Sequence, residues 1–133
     1  MKLYDTLSRE KKEFIPIRER RVNLFVCGPT VYDYSHLGHA RTYIPFDVLA
    51  EYLRYRGYLV FYLQNITDID DKIINRAKKV YKKWDEISKM YMKAYFEDMR
   101  SLRINSINLY APASYYIDEI IDQVKRLIEK GFA

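Results

Sequence analysis

The sequence predicts an α/β fold built on a parallel βαβ unit. Two short apolar runs, residues 22–27 and 59–63, carry the β-branched and aromatic residues typical of buried strands. Between them, apolar residues recur at helical spacing over residues 46–53, and Gly57 follows as a helix stop. A strand, a helix and a strand within about 40 residues indicate parallel pairing through a right-handed crossover.

Composition agrees with a folded globular chain. The 133 residues suffice for one domain or part of one, and about half of them are hydrophobic, including 14 tyrosines. The net charge of +5 favours anionic partners such as nucleotides or RNA, although an ordinary basic surface explains it equally well. A single cysteine excludes an internal disulfide. Without a signal peptide or a long apolar run, the sequence predicts a soluble cytoplasmic protein.

The first strand leads into the candidate site. Residues 1–21 are polar and basic, and we expect a short lead-in there, such as a small hairpin against the sheet edge. Gly28 and Pro29 end the strand, because proline cannot donate to a ladder and glycine allows a sharp turn. A polar loop with both histidines then precedes a helix predicted at residues 40–56. Open α/β sheets bind ligands where a strand end faces a helix N-terminus, so this loop is the candidate site.

From residue 64 onwards, the sequence predicts the end of the second strand and then three helices. The second strand ends in a polar loop at residues 64–67, and the acidic residues that follow indicate a helix cap and first turn in preference to a metal site. Further helices are predicted at residues 84–102 and from Ile117 to Gly131, separated by an irregular stretch at 104–112. Four lysines gather at the far end of the first of these three helices: Lys78, Lys79, Lys82 and Lys83. With two secure strands, the sequence indicates the first half of a nucleotide-binding fold.

Two blocks carry a family resemblance. Residues 27–42, CGPTVYDYSHLGHART, and residues 65–74, NITDIDDKII, are similar to the class I aminoacyl-tRNA synthetases, and within them to the cysteinyl-tRNA synthetases. The HIGH motif of that class appears here as HLGH at residues 36–39. The resemblance runs from about residue 3 to residue 133 and implies a Rossmann-like fold. It also implies that residues 1–133 are the N-terminal half of a catalytic domain, since full family members continue well beyond this length.

The resemblance further implies an activity. A cysteine–tRNA ligase uses ATP with Mg²⁺ to convert L-cysteine to cysteinyl-adenylate and then transfers the cysteinyl group to tRNA(Cys). Catalytic roles fall to His36 and His39, whose imidazoles would donate to phosphate oxygens. The implied ATP or adenylate contacts are Pro29, Thr30, His36, Gly38, His39 and Thr42. The implied cysteine contacts are Cys27, Gly28, Thr30, Asn65, Ile66 and Thr67. Helix capping is a competing interpretation for Thr67, and the two roles are compatible.

Cys27 is implied as a ligand of the zinc ion that holds the substrate thiolate, with one zinc per full-length subunit. A zinc site needs three or four protein ligands, and the others are absent from this chain, as is the KMSKS lysine loop. We therefore expect the isolated chain neither to hold zinc firmly nor to catalyse the reaction. The lysine cluster is interpreted as a solvated face, with contact to tRNA phosphates as the alternative.

Three functional interpretations remain open from the sequence. The first is the N-terminal catalytic portion of a cysteinyl-tRNA synthetase, with a complementing C-terminal half as its partner. The second is a cysteine-adenylate-forming ligase of the mycothiol type, which shares these motifs. The third is a stand-alone nucleotide-binding or accessory module without catalysis, favoured by the missing lysine loop and zinc ligands.

Overall fold

The computed structural model describes all of residues 1–133. The strands are β1 (Lys2–Asp5), β2 (Glu10–Glu13), β3 (Arg21–Val26), β4 (Leu59–Ile66) and β5 (Leu109–Pro112). The helices are α1 (Leu37–Tyr55), α2 (Asp71–Lys79), α3 (Trp84–Ser101) and α4 (Ile117–Glu129), with a 3₁₀ turn at Ala113–Tyr116. All four predicted helices are therefore confirmed. None of them combines the length and the apolar character that a membrane-spanning helix needs.

The main sheet has three strands in the order β3-β4-β5, and both neighbouring pairs are parallel. Val22 lies opposite Val60 in β4, and Leu63 of β4 lies opposite Leu109. The predicted βαβ unit is confirmed as β3, α1 and β4. Because all three strands point the same way, their carboxyl ends meet at one edge of the sheet.

Two strand predictions were wrong in detail. β4 continues through Ile66, so residues 64–66 belong to the strand, where the side chains of Gln64 and Ile66 are fully buried. β5 lies in the stretch predicted to be irregular. β5 is only four residues long, and Asn108 just before it adds two hydrogen bonds to β4. The Asn108 N–H donates to the Tyr62 carbonyl, and Asn108 Oδ1 accepts from the Tyr62 N–H, both at 2.8 Å.

The N-terminal hairpin is confirmed, but it does not join the main sheet. β1 and β2 pair antiparallel as a separate two-stranded sheet. Beyond β2, the Phe14 ring packs edge-on against Tyr58, with the ring centroids 6.0 Å apart. The end of the hairpin therefore packs against the turn that precedes β4 through these two aromatic rings.

The core lies on one face of the main sheet. Val26, Tyr62 and Ile66 of that face pack against buried side chains of α1, α2 and α3. The opposite face is open: Phe25 of β3 and Phe61 of β4 are 62% and 47% exposed. The first strand was predicted to be a buried strand, but it is buried on one face alone, because every second residue of β3 faces solvent.

α4 has the predicted apolar periodicity but buries none of its residues. Six aliphatic side chains form its stripe, each between 38% and 57% exposed: Ile117, Ile120, Ile121, Val124, Leu127 and Ile128. The chain thus presents two apolar surfaces, the α4 stripe and the open face of the sheet.

The acidic stretch after β4 starts α2, as predicted. Asp70 is the N-cap and accepts a hydrogen bond from the Lys72 N–H at 2.8 Å, so the cap is Asp70 and not Thr67. Asp68 has a different role. It is 5% exposed and accepts two hydrogen bonds from Ser114, from the backbone N–H at 2.9 Å and from the hydroxyl at 2.5 Å. This carboxylate ties the segment after β5 to the end of β4.

We expect Asp68→Ala to lower the free energy of unfolding by about 2–3 kcal/mol, because two hydrogen bonds to a buried charged group disappear. Asp70→Ala, which removes only a helix cap, should cost about 1 kcal/mol. Urea unfolding of both variants measures the difference. Equal losses would show that the contact between Asp68 and Ser114 contributes no more than an exposed cap.

Candidate functional site

A cavity of about 290 Å³ opens at the carboxyl edge of the sheet. Residues 29–36 form most of its wall, and His39 from α1 and Tyr95 from α3 complete it. Four of the predicted site residues therefore surround one space: Pro29, Thr30, His36 and His39. The topology explains the position, because the loop after β3 must cross this edge to enter α1.

Backbone pairing holds the start of the loop against the end of β4. The Thr67 N–H donates to the Pro29 carbonyl at 3.0 Å, and the Val31 N–H donates to the Thr67 carbonyl at 3.1 Å. The Gly28 N–H donates to Asn65 Oδ1 at 2.9 Å. A Cβ atom at Gly28 would lie 1.7 Å from the Asn65 carbonyl oxygen, so only glycine fits this approach.

Both histidines cap α1. His36 is the N-cap residue, and its Nδ1 accepts from the Gly38 N–H at 3.0 Å. His39 reaches back, and its Nδ1 accepts from the His36 N–H at 3.1 Å. This is the reciprocal arrangement of a capping box, built here from two imidazoles. Since Nδ1 accepts in each ring, the neutral tautomer carries its proton on Nε2. Each histidine therefore stabilises the helix start and retains an Nε2–H donor.

Four neighbouring aromatic rings, which we call the aromatic column, lead from the cavity towards the core: His36, His39, Tyr43 and Tyr95. The rings of His36 and His39 are 4.2 Å apart, Tyr43 lies 6.3 Å from His39, and Tyr95 lies 5.8 Å from Tyr43. The Tyr95 hydroxyl donates to Gln64 Oε1 at 2.6 Å. Burial raises the pKa of Tyr43 to about 12 and raises that of Tyr95 as well. Both phenols therefore stay protonated at neutral pH, and the column connects the cavity to the core.

The imidazole of His39 is held neutral. Its pKa lies below the ordinary value of 6.5, first because the ring is half-buried and second because His36 is close enough for charge repulsion. The charge of Asp98 acts in the opposite direction and is outweighed. A neutral ring is also what the cap requires, because a protonated Nδ1 cannot accept.

This shift predicts a pH dependence of stability. Below pH 6.5 the unfolded chain binds a proton at His39 that the folded chain resists, so stability falls as the pH drops below that value. Above it, His39 is neutral in both states and contributes no slope. We expect the melting temperature to fall less in His39→Gln than in the parent chain on going from about pH 7 to about pH 5.5. Identical pH profiles for the two proteins would contradict the shift.

The outer part of the loop is anchored to α2 and α3. The Tyr34 ring packs edge-on against Tyr91 at 5.1 Å. Arg76 Nη2 donates to the Tyr91 hydroxyl at 3.3 Å and lies 3.8 Å from Asp33 Oδ2. The sequence pattern does not reveal these contacts, because the two that involve the loop join residues more than 40 positions apart along the chain. The one sequence feature that could have indicated these contacts is the run of aromatic and acidic side chains at residues 32–34 of the loop.

The other predicted site residues lie beside the cavity and not in its wall. Cys27 is exposed at the end of β3, next to Gly28. Asn65 is half-buried at the end of β4, whereas the Ile66 side chain is fully buried and leaves only backbone atoms for any ligand contact. The Thr42 hydroxyl donates to the Gly38 carbonyl at 3.0 Å, one helical turn back.

No group of three or more histidine, cysteine, aspartate or glutamate side chains is arranged to hold a metal ion. Asp68 bonds to Ser114 and Asp70 caps α2, so the acidic stretch has structural partners. The residues present therefore do not form a zinc site, because Cys27 is a single ligand where three or four are needed.

Comparison with known proteins agrees with this architecture. The family described as "tRNA synthetases class I (C) catalytic domain" matches residues 13–133. Over its whole length the chain is 56% identical to the cysteine–tRNA ligase of Thermoplasma volcanium, 53% to that of Thermoplasma acidophilum and 48% to that of Thermococcus kodakarensis. It spans 29%, 29% and 28% of those proteins respectively. Since the family match takes in the sheet, the histidine-capped helix and the cavity, this chain belongs to the class I tRNA synthetase catalytic domains.

Proposed function

We propose that this chain is the ATP-binding part of a cysteine–tRNA ligase, which activates L-cysteine with ATP and Mg²⁺ and transfers it to tRNA(Cys). The observation that carries the proposal is the pair of histidines at the cavity, each with its Nδ1 bound in the helix cap and its Nε2–H unused by that cap. The names of the relatives favour tRNA over an amino sugar as the acceptor.

In the activation step, the cysteine carboxylate attacks the α-phosphate of ATP and pyrophosphate leaves. Negative charge grows on the phosphate oxygens, and donors already in place stabilise it without reorganising. His36 and His39 would supply such donors through Nε2–H, while their Nδ1 atoms fix the rings on the helix start. The positive end of the α1 dipole lies at the same point and adds to the attraction.

Pro29, Thr30 and Gly38 complete the proposed nucleotide contacts. A Cβ atom at Gly38 would lie 2.7 Å from the His36 ring, so glycine preserves the capping geometry. Thr42 lies one turn into α1, where its hydroxyl oxygen could accept from a ligand while donating to Gly38. The proposed cysteine contacts are at the strand ends: Cys27, Gly28, Thr30, Asn65, Ile66 and Thr67.

For zinc, we propose that Cys27 supplies one thiolate ligand and that the remaining ligands come from outside these residues. Zinc would then discriminate L-cysteine from serine through its preference for thiolate sulfur. The exposed position of the thiol at the strand end supports this assignment.

We also propose that residues 1–133 form one half of a larger catalytic domain. The open face of the sheet and the α4 stripe support this, because apolar surfaces of this kind normally pack against further structure. The relatives support it as well, since each is more than three times as long as this chain.

A chimera tests the function. This chain would replace the matching segment of the Thermoplasma volcanium ligase, with which it shares 56% identity. We expect cysteine-dependent exchange of pyrophosphate into ATP, little exchange with serine, and charging of tRNA(Cys). A folded, zinc-loaded chimera that binds ATP but activates no cysteine would overturn the proposal.

The isolated chain gives a further prediction. We expect no cysteine-dependent exchange and less than one zinc per chain after a chelator wash, because one thiolate cannot replace three or four ligands. Residues that act as a unit lose activity non-additively, so half a site keeps far less than half of the rate. Adding the rest of the ligase as a separate polypeptide should restore exchange. Stoichiometric zinc in the isolated chain would contradict the ligand count.

A further inference from the structure

The end of α2, the turn after it and the start of α3 together carry most of the net charge of the chain. Residues 76–89 contain six basic and two acidic side chains, whereas the whole chain has a net charge of +5. We call residues 78–83 the lysine turn. All four of its lysines are exposed, and none lies in an ion pair. Their charge is therefore available to an anionic partner.

Tyr81, at the centre of the lysine turn, combines an exposed ring with a left-handed backbone conformation. Its side chain is 98% exposed and its φ is +55°. The Lys82 N–H donates to the Ala77 carbonyl at 3.0 Å, which closes a helix end of the kind where glycine normally occupies the left-handed position. A tyrosine there costs roughly 1–2 kcal/mol in backbone strain, and its ring gains no burial in return. Such a side chain has no stabilising role in the fold.

Lysines around an exposed aromatic ring are the arrangement that binds single-stranded nucleic acid, because phosphates contact the cations and a base stacks on the ring. We propose that the lysine turn binds an unpaired RNA strand, with Tyr81 stacking on a base and the four lysines contacting phosphates. Duplex RNA fits less well, since its bases are already stacked on one another.

The turn is close to the cavity. Arg76, two residues before the turn, lies 3.8 Å from Asp33 of the cavity loop. Tyr81 follows Arg76 by five residues, so their Cα atoms lie at most about 18 Å apart. A strand bound on the turn can therefore continue into the cavity within a few nucleotides. Identifying that strand as the 3′ end of tRNA rests on the proposed function, whereas the RNA contact itself does not.

Fluorescence anisotropy with a labelled single-stranded RNA 12-mer tests the contact on the isolated chain. Tyr81→Gly removes the ring and relieves the strained backbone, so it should fold at least as well as the parent chain while binding roughly 5- to 100-fold more weakly. Replacing Lys78, Lys79, Lys82 and Lys83 with glutamine should flatten the salt dependence of binding. The log–log slope should fall by about 0.7 for each phosphate that a lysine no longer neutralises.

The matched control changes four exposed, unpaired lysines elsewhere to glutamine: Lys2, Lys11, Lys125 and Lys130. It alters net charge by the same amount and should leave most of the affinity intact. Equal weakening by both quadruple variants, unchanged binding by Tyr81→Gly, or tighter binding of duplex RNA or anionic vesicles would overturn the proposal. In the chimera, Tyr81→Gly should reduce tRNA charging and spare pyrophosphate exchange, so failure of the RNA contact and failure of cysteine activation are distinguishable.

Discussion

Gly28→Ala is expected to destabilise the chain by about 3 kcal/mol or more, and to lower its melting temperature by roughly 10 °C. The added Cβ would lie 1.7 Å from the Asn65 carbonyl oxygen and 2.9 Å from the Asn65 carbonyl carbon. Both are backbone atoms inside β4, so no side-chain rotation relieves the overlap. The loop must move away from β4, and the pairing of Thr30 with Thr67 must break with it.

Two controls isolate the steric effect. Gly57→Ala places a Cβ where no atom lies within 4 Å, although its φ of +85° should still cost about 1 kcal/mol. Asn65→Ala removes the side-chain acceptor of the Gly28 N–H without adding volume, again at about 1 kcal/mol. If Gly28→Ala unfolds no more easily than these two, the contact between the loop and β4 is looser than the distances indicate.

The elements that the sequence predicted are those with strong local signals. The apolar run of residues 22–27 and the periodicity of α4 needed no tertiary context to be recognised. A helix start in the acidic stretch followed from the preference of carboxylates for a helix N-terminus, although the residue that caps it is Asp70 and not Thr67. The position of the cavity followed from the order of elements, whereas the chemistry proposed for it comes from the resemblance.

The features that escaped prediction depend on contacts distant in sequence. β5 is four residues long and is a strand because β4 pairs with it. Gln64 was expected in a loop because it is polar, yet Tyr95 bonds its amide inside the core. The open face of the sheet could not be inferred from apolar residues alone, because composition does not say whether a second layer is present.

His39→Ala in the chimera is expected to slow cysteine-dependent pyrophosphate exchange by roughly 10²–10³-fold, the usual effect of losing one transition-state donor. The same variant also loses the bond from the His36 N–H, which should cost about 1 kcal/mol of stability. A slower exchange rate in His39→Ala could therefore come either from a destabilised start of α1 or from the missing Nε2–H donor.

His39→Gln makes that separation. Glutamine at the third helical position is the usual partner in a capping box, so its carbonyl oxygen should restore the bond to the His36 N–H. Stability should return to within about 0.5 kcal/mol of the parent, while the rate stays low because no imidazole Nε2–H faces the phosphate. If exchange recovers together with stability, His39 acts only as a helix cap. If exchange is unchanged even in His39→Ala, the residue has no part in cysteine activation, and His36 must act without it.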